Sequence, residues 1–298
     1  MAKVKNDNLG DRMKRYEATT RFILPRRTYT LLRVDGRAFH TWTRGLKRPY
    51  DTTLMQCMDT AAIALCEEIA GAQFAYVQSD EISVLATDFA DTSTQPWFDG
   101  VVQKWVSVAA AIATMSFNGM VAQFNDNYDG LLDERGPDEA AILLKDGLVG
   151  QRKAPNATFD ARVFTIPDHV EVANYFVWRQ QDAERNSVAM LAQNYASAKQ
   201  LHGKGRAEQH EVIFKAGDNW AKHPVRFKHG AVIRRQAVDY IGLTDGFQGI
   251  PQERSNWFVD TDTPKFTAVK SYLDTLIPIP WDGDLVQRLP RKAKGEGA

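Results

Sequence analysis

Apolar residues recur three and four apart at Leu54, Met58, Ala61, Leu65 and Ile69, and again at Val102, Val106, Ala109, Ala113 and Phe117. That spacing predicts two helices, each laying one face on a sheet. Asp51 stands where it would cap the first of them, and the second runs from about Val101 to Gln123. Short apolar runs, Tyr29-Thr30-Leu31-Leu32 and Phe74-Ala75-Tyr76-Val77, predict strands. The first strand covers Tyr29 to Val34 behind a polar helix over Asn8 to Arg21, and the second enters a hairpin with Ser79-Asp80-Glu81 at its tip. The stretch Asn125 to Pro155, rich in Asp, Gly and Pro, reads as a loop. Phe159 to Ile166 then predicts a strand, Val170 to about Lys199 a long helix, and Arg226 to Arg235 a further strand. Past Gln236 the pattern weakens to a short helix around Phe266 to Leu276 and a basic tail.

The order strand, helix, hairpin, helix predicts the α+β class: a mostly antiparallel sheet with helices packed on one face. It spans residues 1–235, with 236–298 as a C-terminal extension. At 298 residues, 44% hydrophobic and 25% charged, the chain is long enough to bury a sizeable core. A formal net charge of zero means that a nucleic-acid partner must be held by local basic patches. These are Arg12, Lys14, Arg15, Arg21, Arg26 and Arg27 near the start, and Arg288, Arg291, Lys292 and Lys294 in the tail. Cys57 and Cys66 fall in one predicted helix, about 13 Å apart along its axis, too far to bridge. No apolar run approaches 18 residues and no apolar signal-peptide core opens the chain, so the expectation is a cytoplasmic protein with no membrane partner.

Two acidic signatures carry the chemistry, Asp35-Gly36-Arg37 and Gln78-Ser79-Asp80-Glu81. Each follows a strand-like run, so the carboxylates sit at strand ends. Two carboxylates delivered by neighbouring strands can hold two divalent cations over a triphosphate. A lone Asp-Gly ordinarily only begins a turn. Here Gly36 would let the backbone approach a ligand, and Arg37, His40, Lys47 and Arg48 crowd the same stretch with phosphate donors. Arg179, Asp182 and Asn186 share one helix face, as an ion-pair and amide network beside the site or as a solvated stripe. Asn125-Asp126-Asn127-Tyr128-Asp129-Gly130 is no calcium loop, since Gly136 stands where a bidentate Glu belongs. The six histidines lack metal-ligand spacing, and no nucleophile elbow or phosphate-loop motif occurs.

Asp35-Gly36-Arg37-x-Phe39-His40, Lys47-Arg48-Pro49-x-Asp51, Gln78-Ser79-Asp80-Glu81-x-Ser83, Phe159-Asp160-x-Arg162 and Trp178-Arg179-Gln180-x-Asp182 follow in this order. Together they resemble the tRNAHis guanylyltransferase family, enzymes that add nucleotides in the 3′-to-5′ direction, over about residues 8 to 235. The resemblance implies a catalytic core shaped like the palm of polymerases and nucleotide cyclases, assembled as a homotetramer. It implies that Asp35, the Gly36 carbonyl and Asp80 ligate two Mg2+ ions, with Glu81 supporting. Gly36, Arg37, Phe39, His40, Asp51 and Ser79 fall where the family positions nucleotide, and Arg48 and Lys104 where it places cations on triphosphate. The implied substrates are ATP, GTP and a 5′-monophosphorylated tRNA, which is activated with release of pyrophosphate and then attacked by the 3′-hydroxyl of an incoming nucleotide.

Departures narrow the expectation. Eukaryotic members continue past the position of Asp182 with a His-Ile-Asn-Asn-Leu-Tyr-Asn run, where this chain has Glu184-Arg185-Asn186-Ser187-Val188-Ala189-Met190. A lysine usual before Glu211 is replaced by Gln209. The pattern resembles the bacterial and phage-like branch, associated with template-dependent repair of 5′-truncated tRNAs. Guanylation of tRNAHis is the alternative. A noncatalytic RNA-binding protein, more distant, would need no carboxylates.

Overall fold

The computed structural model describes residues 8–145, 152–240 and 252–280. Its elements are α1 (Leu9–Ala18), β1 (Tyr29–Gly36), α2 (Phe39–Trp42), α3 (Thr52–Glu68), β2 (Ala72–Gln78), β3 (Glu81–Thr87), α4 (Val102–Lys145) and β4 (Phe159–Ile166). After these come α5 (His169–Tyr195), α6 (Ala198–Leu201), α7 (Arg206–Lys215), α8 (Val225–His229), β5 (Ala231–Tyr240), β6 (Gln252–Asp260) and α9 (Lys270–Asp274). The six strands form one antiparallel sheet in the order β4-β1-β3-β2-β5-β6. The α+β class and the hairpin with acids at its tip are therefore observed.

Helices cover both faces of the sheet, which corrects the one-face expectation. Leu32 and Val34, Ala75 and Val77, and Ile82 and Val84 pack with α3 and α4. The alternate positions Tyr29, Leu31, Phe74, Tyr76 and Leu85 pack with Val172, Tyr175 and Phe176 of α5. All seven residues of β3 are buried. Strands enclosed on both sides read as continuous apolar runs, which the runs in β1 and β2 already were.

The predicted loop over 125–155 is also corrected, because α4 continues to Lys145. Val121 and Phe124 extend its apolar face onto the core, and the Asn125 carboxamide bonds both backbone groups of Lys153 at 2.7 and 3.0 Å. The break falls only at Gly136-Pro137, where Gly136 takes φ 82°. By length and composition α4 could cross a bilayer. Here Trp105, Ala109, Ala113 and Phe117 bury one face against the sheet and α3.

The strand predicted from Arg226 begins later. Residues 225–229 form α8, and Gly230 at φ 78° turns the chain into β5, its Cα so close to Val77 that a Cβ would lie 2.6 Å from the Val77 carbonyl oxygen. The boundary expected at residue 235 lies inside β5, whose partner β6 comes from the expected extension. Beyond β6, Phe266, Leu273 and Ile277 are buried on the α5 face. Backbone and side chains lock them there: Phe266 N–H donates to Gln180 Oε1 at 2.7 Å, and Tyr29 Oη donates to the Pro278 carbonyl at 2.8 Å. The basic tail residues Arg288, Arg291, Lys292 and Lys294 lie outside the described residues.

Because the Phe266 ring is fully enclosed, Phe266→Ala should cost about 3–5 kcal/mol of stability. Urea unfolding followed by circular dichroism measures it, and a loss below about 1 kcal/mol would mean that this segment adds little to the core.

Candidate active site

The site is assembled at the open end of β1 by the turn between β2 and β3. That turn is two residues long, Ser79-Asp80, with Ser79 held at φ 48°. The Asp80 carbonyl accepts the Gly36 N–H at 3.0 Å, and Arg37 N–H donates to the Thr158 carbonyl at 2.8 Å, so three strand ends are stitched together. In register, Asp35 stands opposite Glu81 on one side and Asp160 on the other. Directly paired strand residues project from the same face, so a row of three carboxylates crosses the sheet on the side of α5.

Like charges this close must be neutralised. Glu81, 7% exposed, receives both arms of Arg179: Nε at 2.7 Å and Nη2 at 2.6 Å. Arg33 approaches the same carboxylate at 3.9 Å. Arg179 also bonds Asp182 at 3.0 Å and lies over the Trp178 ring, while Asp182 pairs with Arg185. Arg179 and Asp182 thus form an ion-pair network, whereas Asn186, the third residue of that face, is exposed. Asp160 has Arg162 at 3.5 Å in the open. Among the described residues, Asp35 and Asp80 have no ion-pair partner. Burial, then the charges of Asp80, Glu81 and Asp160, hold the Asp35 carboxyl above its ordinary pKa. Burial raises Asp80 too, partly offset by the Ser79 hydroxyl.

Asp80 opens onto a groove of about 1050 Å³, open mouth included. His40, Arg44, Lys47 and Arg48 line it together with Ser79, Asp80 and Met190. Asp51 shapes it: one carboxylate oxygen caps α3 through the Leu54 N–H at 3.0 Å, and the other takes the Lys47 N–H at 3.2 Å. Arg37 is exposed beside the Asp35 turn, and Asn186 borders a second cavity with Ser79.

Four expectations change. The protein's own packing already requires glycine at 36, since a Cβ there would lie 2.3 Å from the Phe39 ring. Phe39 itself is a core residue, packed against Trp42, Phe117 and Phe159, with only an edge on the groove. Lys104 is not brought to the acids. Its ammonium sits over Phe98, and it lies thirteen residues, about 20 Å of helix, from the Phe117 turn that meets Phe39. Arg27 leaves the basic patch as well, because its guanidinium bonds the carbonyls of Asp88, Asp91 and Thr92. Sequence reasoning gave no role to Arg33 and Asp160; Asp160 stands opposite Asp35, Arg33 lies two residues before Asp35 on the same face, and that two-residue strand period is the signal that would have found Arg33.

Comparison with known proteins bears on the family and the fold. The family model for tRNAHis guanylyltransferase matches residues 10–167. A bacterial tRNAHis guanylyltransferase-like protein solved in complex with ATP is 34% identical, with a TM-score of 0.71 over 91% of this chain and 99% of that one. A GTP complex of such a protein gives 32% identity and a TM-score of 0.69 over the same shares. The tRNAHis guanylyltransferase of Schizosaccharomyces pombe is 26% identical across 76% of this chain and 80% of its own length. With its palm-like sheet and its acid-tipped hairpin, the chain belongs to the tRNAHis guanylyltransferase family of nucleotidyltransferases.

Proposed function

We propose that this enzyme uses Mg2+ to add nucleotides to the 5′ end of tRNA in the 3′-to-5′ direction, restoring shortened 5′ ends against the opposing strand. One observation carries the reading: Asp35 and Asp80 are partly buried carboxylates without a protein cation, set beside a groove bearing Arg44, Lys47 and Arg48. Asp35, Asp80 and the Gly36 carbonyl would hold the metal. Among the described residues no three His, Cys, Asp or Glu side chains form a protein cage. A pair of carboxylates is the donor set that suits Mg2+, which takes its remaining ligands from water and substrate phosphates. Bound there, Mg2+ supplies positive charge over the triphosphate and the reacting phosphate oxygens.

The chain's own residues do the rest. Arg44, Lys47 and Arg48 offer fixed cations to the triphosphate of ATP or GTP, and His40 and Ser79 orient the nucleotide above the acids. Glu81, already held by Arg179 and Arg33, positions the turn that carries Asp80. Positioning and charge stabilisation are what phosphoryl chemistry needs most. Repair is favoured over guanylation of tRNAHis by Glu184, which occupies the place of the eukaryotic His. It is 2% exposed and meets Arg206 at 3.1 Å and Lys265 at 3.4 Å, so that position serves the fold here.

A homotetramer is part of the proposal. Leu9, Met13 and Tyr16 form an exposed apolar stripe on α1, which buries none of its own residues. A ten-residue helix is marginal alone in water. A second copy covering that stripe would support it. Light scattering should then give four times the chain mass for the wild type and a smaller species for Met13→Glu. A monomeric wild type would end this part of the reading.

Asp35→Asn and Asp80→Asn should each lower nucleotide addition by about a thousandfold or more in saturating Mg2+. Their thermal midpoints should be unchanged or raised, since each substitution removes a carboxylate whose charge the fold disfavours. Addition within about tenfold of wild type in both variants would remove the acids from the mechanism.

For the substrate, a tRNA lacking its first nucleotide should be restored with whichever base complements the opposing one, faster than intact tRNAHis is extended. Initial rates with each of the four nucleotides decide this. Faster extension of intact tRNAHis, with G added whatever stands opposite, would replace repair by guanylation.

A further inference from the structure

The groove cations Arg44, Lys47 and Arg48 are exposed residues of the loop that joins α2 to α3. Cations bind an anion best when their carriers are held in place beforehand, because little ordering is then left to do when the anion arrives. Asp51 holds one end of this loop through the Lys47 N–H. The other end is held by a distant part of the chain. Lys153 donates from Nζ to the Arg44 carbonyl at 3.0 Å and lies over the Trp42 ring at 5.2 Å, while Trp42 Nε1 donates to the Ala154 carbonyl at 3.2 Å.

Lys153 can anchor that loop because its own segment is fixed. Residues 152–159 are bonded to α4 along their length. Arg152 pairs with Asp129 at 3.2 Å, and the Lys153 backbone bonds the Asn125 carboxamide. The Ala157 backbone meets both groups of Asn118 at 2.8 and 2.9 Å, and the Phe159 N–H donates to Thr114 Oγ1 at 3.2 Å. Thr114, Asn118, Asn125 and Asp129 are spaced four, seven and four apart, so they form one polar stripe of the helix. The same segment accepts the Arg37 N–H at the Thr158 carbonyl, beside Asp35. One strap therefore touches the turn of the acids at one end and the loop of the cations at the other. Lys153 itself does not line the groove, and it borders a small cavity that shares Leu46, Asp51 and Leu54 with it.

We propose that Lys153 is a positioning residue for triphosphate binding. By holding the Arg44 carbonyl it sets the Arg44 end of the cation loop, and the strap fixes that end relative to the Asp35 turn. Its effect on an anion in the groove therefore passes through Arg44. The assignment rests on the triphosphate lying in the basic groove.

A double-mutant cycle on the full chain tests it. Wild type, Lys153→Met, Arg44→Met and the double variant are each titrated calorimetrically with inorganic tripolyphosphate in Mg2+. Methionine keeps an apolar stem against Trp42 and removes the donor. Each single variant should bind tripolyphosphate about fivefold more weakly than wild type. The double variant should match Arg44→Met within about twofold, since Lys153 has nothing left to position. The thermal midpoint of Lys153→Met should stay within about 2 °C of wild type, because the residue is half-buried and its bond lies at the surface. A lysine that only supported the fold would lower the midpoint and leave the affinity unchanged. One that acted through its charge alone would weaken binding again in the Arg44→Met background. Either result overturns the proposal and leaves the phosphate groove standing. A wild type that does not bind tripolyphosphate, or an Arg44→Met that binds it as tightly as wild type, removes the triphosphate role of Arg44 and this proposal with it.

Discussion

The bidentate contact between Glu81 and Arg179 is the constraint on which the site depends. Glu81 is buried at the first position of β3, next to the turn that carries Asp80 and opposite Asp35. An unpaired carboxylate there would be costly, and removal of one partner of a buried pair typically costs about 3–5 kcal/mol. Arg179 meets both oxygens from α5, on the far side from α3 and α4. One contact thereby ties the hairpin tip to the helix behind it and removes one negative charge from the row. With Asp160 beside Arg162, Asp35 and the adjoining Asp80 are the acids of the site that have no ion-pair partner among the described residues.

That contact in turn requires α5 to be seated on the sheet. Val172, Tyr175 and Phe176 bury its first turns, and Tyr175 Oη meets Ser83 Oγ at 2.9 Å. Further along, Glu184 gathers Arg206, Lys265 and His229 from α7, the segment after β6, and the end of α8. Burial lowers the His229 pKa, so near neutrality the cations facing Glu184 are chiefly Arg206 and Lys265. The segment beyond β6 thus helps to hold the helix that holds the site.

A conformational constraint acts at the same place. Ser79 and Ala38 are both held in the left-handed region, at φ 48° and 54°. Side chains tolerate that backbone poorly. Both positions flank the acids. The hydrogen bond from Gly36 N–H to the Asp80 carbonyl and the Phe39 ring packed over Gly36 supply the surrounding restraint.

Local pattern determined much of this by itself. The strand β4, the Asp51 cap of α3, the apolar face of α3 and the placing of Asp35 and Asp80 at strand ends all follow from periodicity and turn chemistry, which act over a few residues. So did the family, through short motifs that keep their order. The rest depended on contacts between distant parts of the chain. Asn125 is polar, and only its bonds to Lys153 show why a helix continues through it. Lys104 and Arg27 look like free cations in the sequence, until Phe98 and the carbonyls of 88–92 take them up. The second covered face of the sheet and the seating of Phe266 come from segments with weak local signal. Periodicity states which residues will be buried, whereas which surface buries them, and which charge is left unpaired, is settled only when distant segments meet.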